Sequence, residues 1–123
     1  MVDITPRVLA ALRQAHPNVA YAYPQNWAAL PQVSYYLLED AEAARAANRE
    51  YLSRIAYQVD VWADSPAAVS ETALRIDREL ARIGLQREYA GDLYDSAAQL
   101  HHRTLRYAAA VKRDGAILEL GGY

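Results

Sequence analysis

Alternation between apolar and polar residues is strongest over Tyr51–Trp62, where it predicts a β-strand. The apolar face of this strand carries Ile55, Tyr57, Val59 and Val61. The polar face carries Arg54, Gln58 and Asp60, and Trp62 lies at its end. A strand with one apolar and one polar face belongs to a sheet that buries only one of its sides.

A different period, of three to four residues, predicts a helix over about 66–83. Its apolar stripe is formed by Val69, Ala73, Ile76, Leu80 and Ile83. Ser65 is placed to cap the helix, Pro66 suits its first position, and Gly84 suits its C-terminal end. An amphipathic helix of this kind needs an apolar sheet face to cover.

The N-terminal third contains a shorter helix and two strands. Thr5 can cap a helix that begins at Pro6 and ends before Pro17. A short strand follows over 19–23, and then an irregular loop over 24–31 that packs Trp27 and Leu30 beneath it. Val33 to Glu39 has two apolar faces, which predicts a strand that is central or covered on both sides.

The segment from Asp40 to Glu50, DAEAARAANRE, has no apolar stripe. Its alanine and charge content suits transient helical turns, so we expect a mobile connection between two paired strands. Connections that the core does not need often carry function, and they are as often solvated insertions.

The C-terminal third predicts further strands. One spans 85–94 and is broken near Gly91, a turn or short helical piece spans 92–100, and a strand spans His101 to Lys112. Asp114-Gly115 predicts a turn before a short strand over 116–120, and 121–123 is expected to be a loose tail. The whole chain, 1–123, is therefore expected to be a single α+β domain. Its mostly antiparallel sheet has two main helices packed on one face.

Composition narrows the class of protein. The chain is 53% hydrophobic with a net charge of −2, which argues against a general nucleic-acid binder. It has no cysteine, and no apolar run reaches the roughly 18 residues of a membrane span. We therefore expect a soluble protein made in the cytoplasm. Ten tyrosines and no phenylalanine fit either a protein interface or the edge of a small core.

Candidate catalytic groups are few. Adjacent strand residues point to opposite faces, so His101 and His102 are not expected to bind one metal ion together. Asp92 and Asp95 match no ligand spacing and read as turn residues. Phosphate-binding glycine loops and nucleophile motifs do not occur in the sequence. We expect no enzyme activity, no cofactor and no metal.

The order of the segments resembles a family. It runs from PQVSYYLLED through a charged loop to YLSRIAYQVDVWADSPAAVSETALRIDRELARIGL, and later DLYDSAAQLHHRTLRY. This pattern, over roughly Pro24 to Val111, resembles the tail terminators and head–tail joining proteins of long-tailed bacteriophages.

The resemblance implies a homohexameric ring on the head-proximal end of the tail tube in the virion. Its partners would be other copies of the chain, the tail tube protein and a head connector or stopper protein. Candidate contact residues are the loop residues Asp40, Glu42, Arg45, Asn48, Arg49 and Glu50, and the anchors Tyr36, Trp62, Tyr94 and Arg103.

Two alternatives stay open at this point. The first is a dimeric small-molecule-binding or regulatory domain with a pocket near Trp27 and Trp62. The second is a small enzyme that uses Asp92, Asp95 and one of the two adjacent histidines.

Overall fold

The computed structural model describes residues 1–118, apart from the side chain of Glu50. Its elements are α1 (Thr5–Ala15), β1 (Val19–Tyr21), β2 (Gln32–Ala46), β3 (Arg49–Ala63), α2 (Pro66–Arg82), β4 (Gln86–Asp95), β5 (Leu100–Lys112) and β6 (Ile117–Leu118). The strands form one sheet in the order β1-β2-β3-β5-β4, and β6 pairs with β5.

The sheet is antiparallel except where β1 runs parallel to β2. Both helices pack into one hydrophobic core with the same face of the sheet, so the other face carries no helix. We call it the helix-free face. The prediction of an α+β fold with a mostly antiparallel sheet and helices on one side is confirmed.

The core confirms the alternation seen in the sequence. Ile55, Tyr57, Val59 and Val61 of β3 are all at most 1% exposed and face the helices. Leu105, Tyr107 and Val111 of β5 join them on the same side. Between these residues, alternate side chains of both strands point to the helix-free face. β2 is buried on both faces only over its first four residues.

The termini of α2 follow the predicted signals. The Ser65 hydroxyl accepts a hydrogen bond from the Ala68 N–H at 3.1 Å, and Pro66 takes the first position. At the other end, Gly84 has φ +102° and the Leu85 N–H donates to the Leu80 carbonyl. This left-handed residue lets the chain turn back from the helix into β4.

The start of α1 differs from the prediction that Thr5 caps it. Ile4 is the capping residue and makes no side-chain bond, whereas the Asp3 carboxylate accepts from the Thr5 N–H at 2.9 Å. The Thr5 hydroxyl lies 2.5 Å from the Tyr57 hydroxyl instead. Thr5 therefore ties the helix to the sheet.

The prediction of a mobile connection over 40–50 was wrong. β2 continues to Ala46, β3 begins at Arg49, and only Ala47 and Asn48 form the turn between them. Both turn residues have positive φ, +51° and +60°, as in the tightest class of hairpin turn. Pairing through the backbone needs no apolar stripe, so the pattern of side chains did not reveal these strands. We call residues 40–51 of this hairpin the arm.

The predicted break at Gly91 is also absent. β4 runs through Gly91, and its irregularity is a bulge between Arg87 and Tyr89. The Tyr89 ring lies across Gly91, where any β-carbon would collide with it. The turn after β4 begins only beyond Asp95, and β6 confirms a last short strand. The rest of that expected strand and the expected tail, 119–123, lie outside the described residues.

No helix within residues 1–118 is long and apolar enough to cross a membrane.

We expect Gly84→Ala to destabilise the fold more than Gly115→Ala. Both glycines have positive φ, so either alanine carries a backbone strain of about 1–3 kcal/mol. A β-carbon at Gly84 would also lie 2.8 Å from Cγ2 of Ile117, while one at Gly115 meets nothing within 4 Å. Urea unfolding of both variants measures the difference. Equal losses would contradict the role given to Gly84.

Candidate assembly surfaces

The arm extends beyond the body of the sheet. β5 pairs with β3 as far as Leu52, and the Arg113 N–H donates to the Tyr51 carbonyl, so only the end of the arm, residues 45–50, is two-stranded. β1 covers β2 only over Val33–Tyr35, which leaves the outer edge of β2 without a strand partner beyond Tyr35 among residues 1–118. A ribbon of two strands is marginally stable by itself in water.

Charged side chains organise the end of the arm. Arg45 lies 2.6 Å from the Glu42 carboxylate and also donates to the Asn48 carbonyl at 2.7 Å. The hydrogen bond to Glu42 raises the pKa of the Arg45 guanidinium further above its ordinary value. Asp40 is half-buried at the base, Arg49 is exposed, and the side chain of Glu50 lies outside the described residues. Arg45, Asn48, Arg49 and the backbone of Glu50 therefore lie on the two-stranded end of the arm. Asp40 and Glu42 lie at its base, beside β3 residues that also pair with β5.

An aromatic cluster of Tyr23, Trp27, Trp62 and His102 lies on the helix-free face. Trp62 stacks on His102, with ring centroids 3.6 Å apart and planes 13° apart. Trp27 meets Trp62 edge-on at 5.2 Å, and Tyr23 packs on both tryptophans. Tyr36 is half-buried on the same face one strand away. These contacts hold the loop between β1 and β2 against the sheet.

Beneath the cluster lies a buried carboxylate. Asp60, 5% exposed, accepts hydrogen bonds from His102 Nε2 at 2.7 Å, Thr104 at 2.8 Å and Gln58 at 3.2 Å. Burial would raise the pKa of Asp60, but these three bonds outweigh it and hold the pKa below its ordinary value. An ionised carboxylate only accepts, so Nε2 of His102 carries a proton.

Tyr94 and Arg103 lie on the opposite, helix-bearing side. Arg103 donates to both oxygens of Asp92, at 2.5 and 3.0 Å, and to the Ser70 hydroxyl on α2. The bond from Arg103 lowers the pKa of Asp92. Tyr94 is 53% exposed and packs on His101. The predicted contact residues therefore occupy three separate surfaces: the arm, the helix-free face and the β4 border.

The residues of the enzyme hypothesis do not converge. Asp92 is held by Arg103, and Asp95 accepts from the backbone N–H groups of Ala97 and Ala98. His101 contacts Tyr94, whereas its neighbour His102 points to the helix-free face. Within residues 1–118 no three histidines or acids are grouped so as to hold a metal ion.

The small-molecule hypothesis required an aromatic pocket near Trp27 and Trp62. The two indole rings contact each other and Tyr23, so they pack together at this point. A cavity of about 420 Å³ lies elsewhere, at the base of the arm, between the N-terminal residues and Tyr57.

Sequence reasoning missed the border formed by β4. All ten residues of β4 except Gly91 are exposed, and Tyr89 and Leu93 are 49% and 68% exposed. Leu74 of α2, beside this strand, is 65% exposed. The alternation of Tyr89, Gly91 and Leu93 was the available signal, and the expected break at Gly91 concealed it.

Comparison with known proteins gives a fold and no family. No family model matches the chain, and no curated protein matches it. Among solved structures, the chain is similar to a chain of the virion of a native gene transfer agent particle. The TM-score is 0.57 at 19% identity, and the similarity covers 90% of this chain and 87% of that one. The two proteins share a fold over nearly their whole lengths.

We expect Asp60→Asn to lower the free energy of unfolding at pH 7 by about 1.5–3 kcal/mol, because three hydrogen bonds lose their charged acceptor. The pKa of Asp60 is lower in the folded chain than its unfolded value of about 3.9. The charge of Asp60 therefore stabilises the fold fully above the unfolded pKa, and this stabilisation is lost as the pH falls through the folded pKa.

Asp60→Asn should therefore also lose part of the acid dependence of stability, measured by urea unfolding from pH 7 down to pH values below that unfolded pKa. Glu71→Gln on the exposed side of α2 is the control. A variant with the stability and pH profile of the wild type would refute the buried charge network.

Proposed function

We propose that the chain is a structural protein of a phage-like virion that caps the head-proximal end of a tail tube as a ring. The ring would stop growth of the tube and present the surface to which the head is joined. The observation that carries this proposal is the fold shared over almost the whole chain with a protein of a gene transfer agent virion.

The sequence resemblance to tail terminators supports the same function independently. It rests on the order of the strand, charged loop, strand and helix, and the structure contains that order as β2, the arm, β3 and α2. The segment that the resemblance treats as a loop is the ordered arm. The similarity of fold alone does not distinguish a terminator from another virion protein, and the resemblance favours the terminator.

The arm supports an assembly role. It carries charged residues on a ribbon with little apolar surface of its own, and docking on a partner would stabilise it. In the proposed ring the arm reaches the tail tube protein, and other surfaces meet neighbouring copies and the head connector or stopper. Tyr36, Trp62, Tyr94 and Arg103 are the candidate anchors of those surfaces.

The histidines and acids that suggested an enzyme are engaged in structural contacts, which also favours a structural role. The proposal therefore involves no catalytic step and no cofactor. The protein would assemble in the host cytoplasm and remain in the virion.

We expect purified particles from the strain that encodes the chain to contain a small, fixed number of copies, about six per tail. Quantitative mass spectrometry against the major tail protein measures this number. A number that grows with tail length would make the chain a tube component, and absence of the chain from particles would refute the proposal.

The same measurement tests the arm. Arg49→Glu changes one exposed side chain of the arm and should leave folding intact while reducing incorporation into particles. Arg78→Glu, also an exposed change but on α2, is the matched control and should be incorporated like the wild type. Equal incorporation of both variants and the wild type would exclude Arg49 from the contact.

A further inference from the structure

The outer edge of β4 has no strand partner within residues 1–118. The Lys112 N–H of β5 donates to the Ala116 carbonyl beside β6, so it points away from β3. Every second residue of an extended strand points its N–H to the same side, so the even-numbered residues of β5 face the side on which β6 and β4 lie. His102 and Thr104 therefore bond to β4, through their partners Leu93 and Gly91. Asp92 lies between these two residues and Ala90 and Tyr94 flank them, so the backbone groups of Ala90, Asp92 and Tyr94 point outward.

Beyond its bulge, β4 presents a regular edge. The bulge lies at the start of the strand, and the stretch from Tyr89 to Asp95 is regular and contains neither proline nor lysine. Proline, lysine and bulges are the usual protections of an exposed edge. A regular row of outward N–H and C=O groups is recognised by another extended strand.

The opposite border of the same sheet also has no strand partner among the described residues, although the Tyr21 carbonyl accepts a hydrogen bond from the Tyr23 N–H. The Ala22 N–H and the Asn18 carbonyl of the β1 segment bond to β2, so the Val19 and Tyr21 N–H groups between them point outward. Just beyond β1, the Leu37 N–H of β2 is accepted by the Tyr21 hydroxyl at 3.2 Å. Among the described residues, each copy therefore has an edge without a strand partner on either side of its sheet.

Exposed apolar side chains concentrate at these two borders. Leu74, Tyr89, Leu93 and Tyr94 flank the β4 edge, and Tyr21, Tyr23, Leu37 and Leu38 flank the β1–β2 edge. An exposed apolar group on each of two opposite borders is the arrangement that a head-to-tail assembly requires.

We propose that β4 of one copy pairs antiparallel with the β1–β2 edge of the next copy, so that the sheets of successive copies join. β4 and β1 run in opposite directions within the sheet, so copies in the same orientation meet in antiparallel pairing. Each copy uses two different borders, so the contact is head-to-tail. Such contacts form a closed ring when the rotation from one copy to the next adds up to a full turn. This inference rests on the ring of the proposed function and identifies its contact.

The test is self-association of the full chain by analytical ultracentrifugation. Ala90→Pro removes an outward N–H and no bond to β5, so the fold should persist while association weakens about tenfold or more. Ala67→Pro, in the first turn of α2 and remote from both edges, is the matched control and should associate like the wild type. Urea unfolding checks that each variant is folded.

Leu93→Lys is the second variant if Ala90→Pro does not fold. Leu93 is 68% exposed beside the β4 edge, so the change should leave the fold intact while the added charge weakens association. A folded Leu93→Lys chain that associates like the wild type overturns the pairing.

An Ala90→Pro chain that is folded and associates like the wild type also overturns the pairing, and leaves a ring to be held by other contacts. A wild-type chain that stays monomeric at its highest soluble concentration overturns it as well. The copy number in particles would still test the proposed function, because that measurement does not depend on how the copies pair.

Discussion

The position of β3 between β2 and β5 is the constraint on which the rest of the structure depends. Its odd-numbered residues from Ile55 to Val61 fill the core beneath both helices, and its even-numbered residues build the opposite face. Trp62 and Asp60 are two of the latter, so the same alternation that closes the core also places the aromatic cluster and its buried carboxylate. A shift of one residue in the register would exchange these two sets of side chains, which is why the strand is so strongly specified.

The length of β2 and β3 has a second consequence. Both strands run past the last pair with β5, so the hairpin leaves the body of the domain as an arm that the core does not support. At the borders of the sheet, β4 and the β1–β2 edge likewise end without partners among the described residues. An arm and two open edges are a liability in a monomer, because their backbone groups can pair with strands of other chains. A protein that is built to assemble uses all three, and this agreement connects the fold to the proposed ring.

Elements with a side-chain period could be predicted from the sequence, and elements held only by backbone bonds could not. β3, α2 and β5 alternate or repeat clearly, and the signals at Ser65 and Gly84 mark the ends of α2 correctly. The arm has solvent on both faces, so its alanines and charges carried no strand pattern. The candidate anchors were predicted from their residue types alone. The order of the strands places Tyr36 and Trp62 on the helix-free face, and Tyr94 and Arg103 on the helix-bearing side. The β4 edge was missed because its exposure follows from β5 lying between β3 and β4.

The most direct test of the account is electron cryo-microscopy of intact particles, averaged at the junction of head and tail. We expect a single ring of this fold at the head-proximal end of the tube, with the arm of each copy against the tube and the sheets joined edge to edge. Density for the fold along the length of the tube, or its absence from the junction, would contradict the account.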